Sequence, residues 1–142
     1  MATITSYGSI TIVDITDIGE FSVYPKCNLP TTVIYSPDVS GDAAYTPNWS
    51  TNYLIMTPVA YYAGSPVSTG ITWTWTRQEG NGTATAISSS NGESVSNGVL
   101  TVNKNQFNGS YAQLTYIITA TYSDASLGKD LVAEGQITFS KV

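Results

Sequence analysis

The chain contains no histidine and a single cysteine, Cys27. The first absence removes the commonest general acid–base and the commonest metal ligand, so a Ser/His/Asp triad cannot be built. One cysteine makes neither an internal disulfide nor a cysteine-rich zinc site. Cys27, with only Lys26 beside it, reads as a small, partly buried residue rather than a reactive thiol. Charge is scarce too. Five basic and ten acidic residues make 11% of the chain, against ~25% in average soluble domains. Twenty Thr and 17 Ser take that place. A net charge of −5 argues against a duplex binder, which needs a basic stripe for the phosphates. No RNP-like aromatic and basic motif points to single strands, so no nucleic-acid partner is expected. No run approaches the ~18 apolar residues of a membrane span, and residues 1–7 carry no basic, signal-like start. Neither a Gly-x-Ser-x-Gly elbow nor a Gly-rich phosphate loop before a helix is present. The ten acids are scattered; they allow a glycosidase couple on paper, but no sequence feature singles one out. No enzyme activity and no cofactor are expected.

What is present has two compositional halves within 142 residues, a length that fits about one domain. All six prolines fall between Pro25 and Pro66, and seven of the ten tyrosines in residues 1–62. Proline gives nothing to a central ladder and keeps the residue before it extended. Residues 21–50 therefore read as extended arms, edge strands and turns, with turn chemistry at Ser36-Pro37-Asp38 and at 39–42. The remainder alternates with period two. Ile71, Trp73 and Trp75 share one face against Thr72, Thr74 and Thr76 on the other. Leu114, Tyr116, Ile118, Ala120 and Tyr122 repeat the pattern, as do Leu131, Ala133, Ile137 and Phe139. Leu100 and Val102 form a further pair, and Ile10, Ile12, Val13 and Ile15 a first strand. Pro58 inside the apolar run 54–62 demands an edge or a bulge. Four Asn-Gly pairs, at 81–82, 91–92, 97–98 and 108–109, supply the positive φ of tight hairpins. A short helical turn is expected within 103–109. The sum is an all-β sandwich.

Three segments, Ile71-Thr72-Trp73-Thr74-Trp75, then 95–102 with Asn97-Gly98-Val99-Leu100-Thr101, then 116–124 with Ala120-Thr121-Tyr122-Ser123-Asp124, resemble a bacterial immunoglobulin-like domain of surface adhesins and phage virion proteins. The likeness spans roughly residues 54–142 and implies an antiparallel immunoglobulin-like β-sandwich over 51–142. In the N-terminal half, Ser9-Ile10-Thr11-Ile12-Val13-Asp14-Ile15-Thr16-Asp17, Val33–Asp38 and Tyr45-Thr46-Pro47-Asn48-Trp49-Ser50 resemble segments of tail-tip and baseplate proteins of tailed phages. That likeness implies an extended, proline-rich assembly region over 1–50 and a virion location, reached from the host cytoplasm by lysis.

Residues 43–76 and 105–123 contain no charged residue. Soluble monomers usually guard strand edges with charge, whereas interface cores favour Tyr and Trp and lack charge. The stretches read as sandwich core, contact surface, or both. The assembly contacts expected are Ile10, Ile12, Tyr35, Tyr45, Trp49, Tyr53 and Tyr61, with copies of the chain and other virion proteins as partners. Trp49, in a loop with Pro47 and Asn48, is the best exposed-aromatic candidate: packing anchor, subunit contact or sugar platform. A platform of Trp49, Tyr53, Tyr61, Tyr62, Trp73 and Trp75 makes a host-surface glycan an alternative partner, with at least one of Trp73 and Trp75 in the core. A self-polymerising extracellular filament is a third reading. Asp14, Asp17 and Glu20, and Asp38 with Asp42, are oxygen clusters that read as strand ends and turns, since EF-hand spacing is missing. The sequons at Asn48, Asn81 and Asn108 read as chance.

Overall fold

A computed structural model of the chain describes residues 19–107 and 111–142. Among the described residues eleven strands run in order: β1 (Phe21–Cys27), β2 (Thr32–Tyr35), β3 (Tyr45–Thr46), β4 (Leu54–Tyr62), β5 (Ser65–Val67), β6 (Ile71–Glu79), β7 (Thr85–Ala86), β8 (Glu93–Ser96), β9 (Val99–Val102), β10 (Gln113–Ser123) and β11 (Asp130–Lys141). Among the described residues helical structure is limited to three short 3-10 turns. The chain is an all-β sandwich of two sheets. One has the order β1-β4-β9-β8, with β5 also on β4; the other runs β3-β2-β11-β10-β6-β7. The pairings are antiparallel except β2 with β11, which run parallel through Thr32–Ser140 and Val33–Lys141. An all-antiparallel sandwich was the expectation; the short β2, lying parallel along the end of the last strand, breaks it.

The period-two segments are strands with the expected inner faces. Leu54, Met56, Ala60, Leu100 and Val102 enter the core from one sheet, and Trp75, Leu114, Tyr116, Ile118 and Phe139 from the other. β10 lies between β11 and β6 along its whole length. Its lack of charge is explained by that central place, because a charge on its inner face would be desolvated. The expected strand with Ile10 and Ile12 lies outside the described residues, as does the 108–109 turn. Of the helical turn expected within 103–109, residues 103–106 show none, Phe107 lies in a turn, and 108–109 lie outside the described residues.

The proline-rich segment, where described, belongs to the sandwich. β1 pairs with all but the first two residues of β4, and β2 and β3 extend the second sheet. Pro58 sits in a central strand, not at an edge or a bulge. Two features permit it. On one side β9 reaches only Leu54–Met56 and β5 only Ala60–Tyr62, so Pro58 faces a gap. On the other it pairs with Pro25. Hydrogen bonds from Ala63 N–H to Glu20 O and from Asn28 N–H to Ile55 O set the phase of that ladder. Alternation then makes Pro25–Pro58 a non-hydrogen-bonded pair, so neither missing N–H is called on.

Asn97-Gly98 is a two-residue hairpin turn between β8 and β9, with φ of 52° and 81°, as its sequence requires. The turn lies against the inner face of β6. Trp75 Nε1 donates to Gly98 O at 2.8 Å, and a Cβ on Gly98 would sit 2.6 Å from Trp73 Cδ1. Gly98→Ala combines left-handed strain with that overlap and is expected to destabilise the domain by about 1–3 kcal/mol. Urea unfolding followed by tryptophan fluorescence measures it; a loss below about 0.5 kcal/mol would mean the turn moves freely. Gly135 plays a similar part where β1 lies over β11, since its Cβ would come 2.6 Å from Val23 O.

Candidate functional site

The residues expected to make assembly contacts separate by burial. Trp49 is 2% exposed: the tip of the 48–52 turn points inward, correcting the exposed-aromatic reading. Asn48 Oδ1 accepts from Ser50 N–H, and Asn48 O from the Thr51 and Asn52 N–H groups. This tight turn carries the indole between Phe107 and Phe139, with ring centroids 5.9 and 5.3 Å away. Tyr45 is likewise buried, and its hydroxyl donates to Phe107 O at 3.0 Å; it is a core residue rather than a contact. Tyr35 pairs with it across β2–β3 but is exposed, with Lys141 Nζ 5.4 Å from its ring centre. Tyr53 is exposed. Tyr61 stacks on exposed Tyr24 at 6.0 Å, and a hydrogen bond between the two hydroxyls raises the pKa of Tyr24. Ile10 and Ile12 lie outside the described residues.

The six aromatics proposed as a sugar platform do not converge. Trp49 and Trp75 are in the core, Tyr62 lies against Tyr122, and Trp73 covers Gly98. Tyr53 alone lines an open groove of about 390 Å³, with Asn28, Leu29, Ser50, Thr51, Asn52 and Ile55. Its polar side chains are largely spent within the fold. Asn28 bonds the backbone of Tyr53 and Ile55, and Ser50 and Thr51 donate to Asn48. Among the described residues no three acidic or thiol groups gather as metal ligands, Asp38 and Asp42 included. Asp14 and Asp17 lie outside them.

A buried polar cluster escaped the sequence reading. Arg77, 2% exposed, comes from the inner face of β6, and Glu93, 3% exposed, from β8 in the facing sheet. Arg77 Nη1 donates to Glu93 Oε2 at 2.5 Å and to Gln106 Oε1 at 2.7 Å. Nη2 reaches Glu79 at 2.8 Å and Tyr111 at 3.1 Å. The Tyr116 hydroxyl donates to Glu93 Oε2 at 2.5 Å, and Ser88 N–H to Oε1 at 2.9 Å. Tyr111 donates to Gln106 O. Burial alone would lower the Arg77 pKa; Tyr116, Glu93 and Tyr111 around it outweigh that and raise it. Burial, followed by the Glu93 carboxylate, raises the Tyr116 pKa far above the ordinary phenol value. Both Glu93 oxygens are taken and its side chain is shielded from water. No solute reaches this carboxylate, so the cluster's work is to fasten the two sheets together. The signal for it was parity: Arg77 continues the inward series of Ile71, Trp73 and Trp75.

The surface that remains open is a sheet face and an edge. With Val23, Met56 and Leu100 pointing inward, alternation turns Tyr24, Ile55, Val59, Tyr61 and Thr101 outward. The only charge among β1 and β4 residues on that face is Lys26. The free edges are mostly guarded. β1 carries Pro25 and Lys26, β3 and β7 are two residues each, and β8 has four. β11 has Asp130 and Glu134 along its open side, with β1 lying over Gly135. The exception is β6. β7 covers only Thr76 and Arg77, which leaves Ile71–Trp75 without charge, proline or glycine, and without a neighbour on that side among the described residues.

Comparison with protein-family models, with curated proteins and with solved structures found no match for the chain.

Proposed function

We propose that this chain is a non-enzymatic structural protein of a phage virion, built on an immunoglobulin-like sandwich and assembling in several copies on the particle. The observation that carries the reading is where the charge-free run 43–76 emerges: as the Tyr61 face and the bare β6 edge, on a domain whose other edges are guarded. Surfaces of that composition suit contact with protein rather than with water. The immunoglobulin-like assignment draws on strand order. The order β1-β4-β9-β8 facing β11-β10-β6 supports it, as does a core tryptophan, Trp75, on the third principal strand. The location, synthesis in the host cytoplasm and release by lysis, goes with this reading. The glycan-adhesion alternative has lost Trp49 to the core.

The chain lacking residues 1–18 keeps every strand described above. It is expected to fold with unchanged circular dichroism, yet to be left out of particles that incorporate the full chain. Tyr61→Lys is expected to reduce incorporation while changing unfolding free energy by no more than about 0.5 kcal/mol. Quantitative immunoblotting of purified particles reads both. Normal incorporation of the truncated chain would overturn the role of the N-terminal segment, and absence of the full chain from particles would overturn the reading itself.

A further inference from the structure

Hydrogen-bond phase gives the β6 edge a definite chemistry. Ser123 N–H donates to Gly70 O, and Gly80 N–H to Gln113 O. These two bonds bracket the β6–β10 ladder and make the even-numbered residues of β6 its hydrogen-bonded partners. By alternation, Ile71, Trp73 and Trp75 turn their N–H and C=O groups the other way, into the open side. Their side chains point into the sandwich, and Thr72 and Thr74 face water. This is a half-made ladder, ready for one more strand, with no device against strand addition.

The chain holds a segment of matching kind. Residues 9–15, Ser-Ile-Thr-Ile-Val-Asp-Ile, are β-branched at five positions and place Ile10 and Ile12 on one face. The segment joins the fold at Gly19, whose N–H donates to the Tyr62 hydroxyl at 3.0 Å. Tyr62 lies 5.5 Å from Tyr122 between ring centres, and Tyr122 pairs with Ile71. The segment thus enters at the end of the sandwich where β6 begins, but on the opposite sheet. Reaching the open side of its own β6 means crossing about 10 Å between sheets and about 10 Å sideways, past β10 and β6. The diagonal is about 14 Å. With Ile10 and Ile12 facing inward, the link runs from Ile12 or Asp14 to Gly19, five to seven steps that span about 17–25 Å when stretched. It therefore reaches the chain's own edge or a neighbour's, and the assembly reading selects the neighbour's.

We infer that residues 9–15 of one copy add as a strand to the free edge of β6, residues 71–75, in a neighbouring copy. This rests on the assembly reading above and names its contact. The added strand gives hydrogen-bond partners to Ile71, Trp73 and Trp75, sets Ile10 and Ile12 beside Trp73, and continues the threonine face outward through Thr11. Repeated head to tail, the exchange makes a ring or a filament.

Residue-resolved amide hydrogen exchange on the full chain tests it, alongside light scattering for oligomeric state. In the oligomer the amides of Ile71, Trp73 and Trp75 are expected to exchange at least about tenfold more slowly than in an Ile10→Asp/Ile12→Asp variant. The Thr72 and Thr74 amides, already bonded to β10, serve as internal controls. Mixing the isotopically labelled variant with unlabelled wild type is expected to restore protection to the labelled chain. Oligomers without protection at 71, 73 and 75 would overturn the docking site and leave assembly standing. Protection that persists in dilute monomer would place the strand on its own chain and overturn exchange between copies. A chain that stays monomeric in solution and in particle extracts, with these amides unprotected, would overturn the assembly reading itself.

Discussion

Arg77→Met is expected to cost about 3–5 kcal/mol of folding stability, the penalty for stranding one member of a buried ion pair. A domain of this kind has only about 5–15 kcal/mol in all, so the variant sits at the margin of folding. The reason is Glu93. Its carboxylate is shielded, and of its donors only Tyr116, Ser88 N–H and a long contact from Asn91 remain once the guanidinium is gone. Urea unfolding measures the deficit. Adding Glu93→Gln should recover part of the loss at neutral pH, because the trapped charge is removed and Tyr116 keeps an acceptor. No recovery in the double variant would mean that lost packing rather than stranded charge sets the cost.

Trp49→Ala is expected to be almost as damaging, at about 3–5 kcal/mol, the range for truncating a large buried aromatic. The indole fills the space between Phe107 and Phe139 and leaves its N–H without a partner among the described residues. What it contributes is therefore packing. Thermal or urea unfolding distinguishes this from a surface role: an exposed contact residue removed from the free protein changes stability by no more than about 0.5 kcal/mol. Trp49→Phe should lose clearly less than alanine, since it keeps an aromatic in the slot. Loss of particle incorporation by Trp49→Ala would report unfolding and not a missing contact, which makes Tyr61 the better probe of the surface.

Both residues illustrate where sequence reasoning held and where it stopped. The strands at 71–79, 99–102, 113–123 and 130–141 were legible because alternation follows from the pleat of a single strand. The Asn97-Gly98 hairpin was legible because positive φ at two successive positions is a local demand that Asn-Gly meets. Trp49 was left open between packing anchor, subunit contact and sugar platform because its neighbours Pro47, Asn48 and Ser50 describe a turn, and a turn says nothing about which way its tip faces. That direction came from Phe107 and Phe139, brought from distant parts of the chain. Pro58 was misplaced for the same reason: its freedom in a central strand depends on where β9 ends, where β5 begins, and on Pro25 standing opposite.

By itself, then, the sequence determined the all-β class, the inner and outer faces of the long strands, the tight hairpin and the scarcity of chemistry-bearing groups. Each of these follows from residue type and near-neighbour spacing, which the chain carries wherever it goes. Tertiary structure decided that Tyr45 and Trp49 are core, that Arg77 and Glu93 meet across the sheets, and that β7 covers only Thr76 and Arg77, leaving Ile71–Trp75 without a neighbouring strand on that side among the described residues. Those outcomes depend on register and on which strands become neighbours, and both are set by packing the whole core at once. The scarcity of charge takes its meaning there: in β10 it is the mark of a central strand, and along Ile71–Trp75 it marks an edge left open.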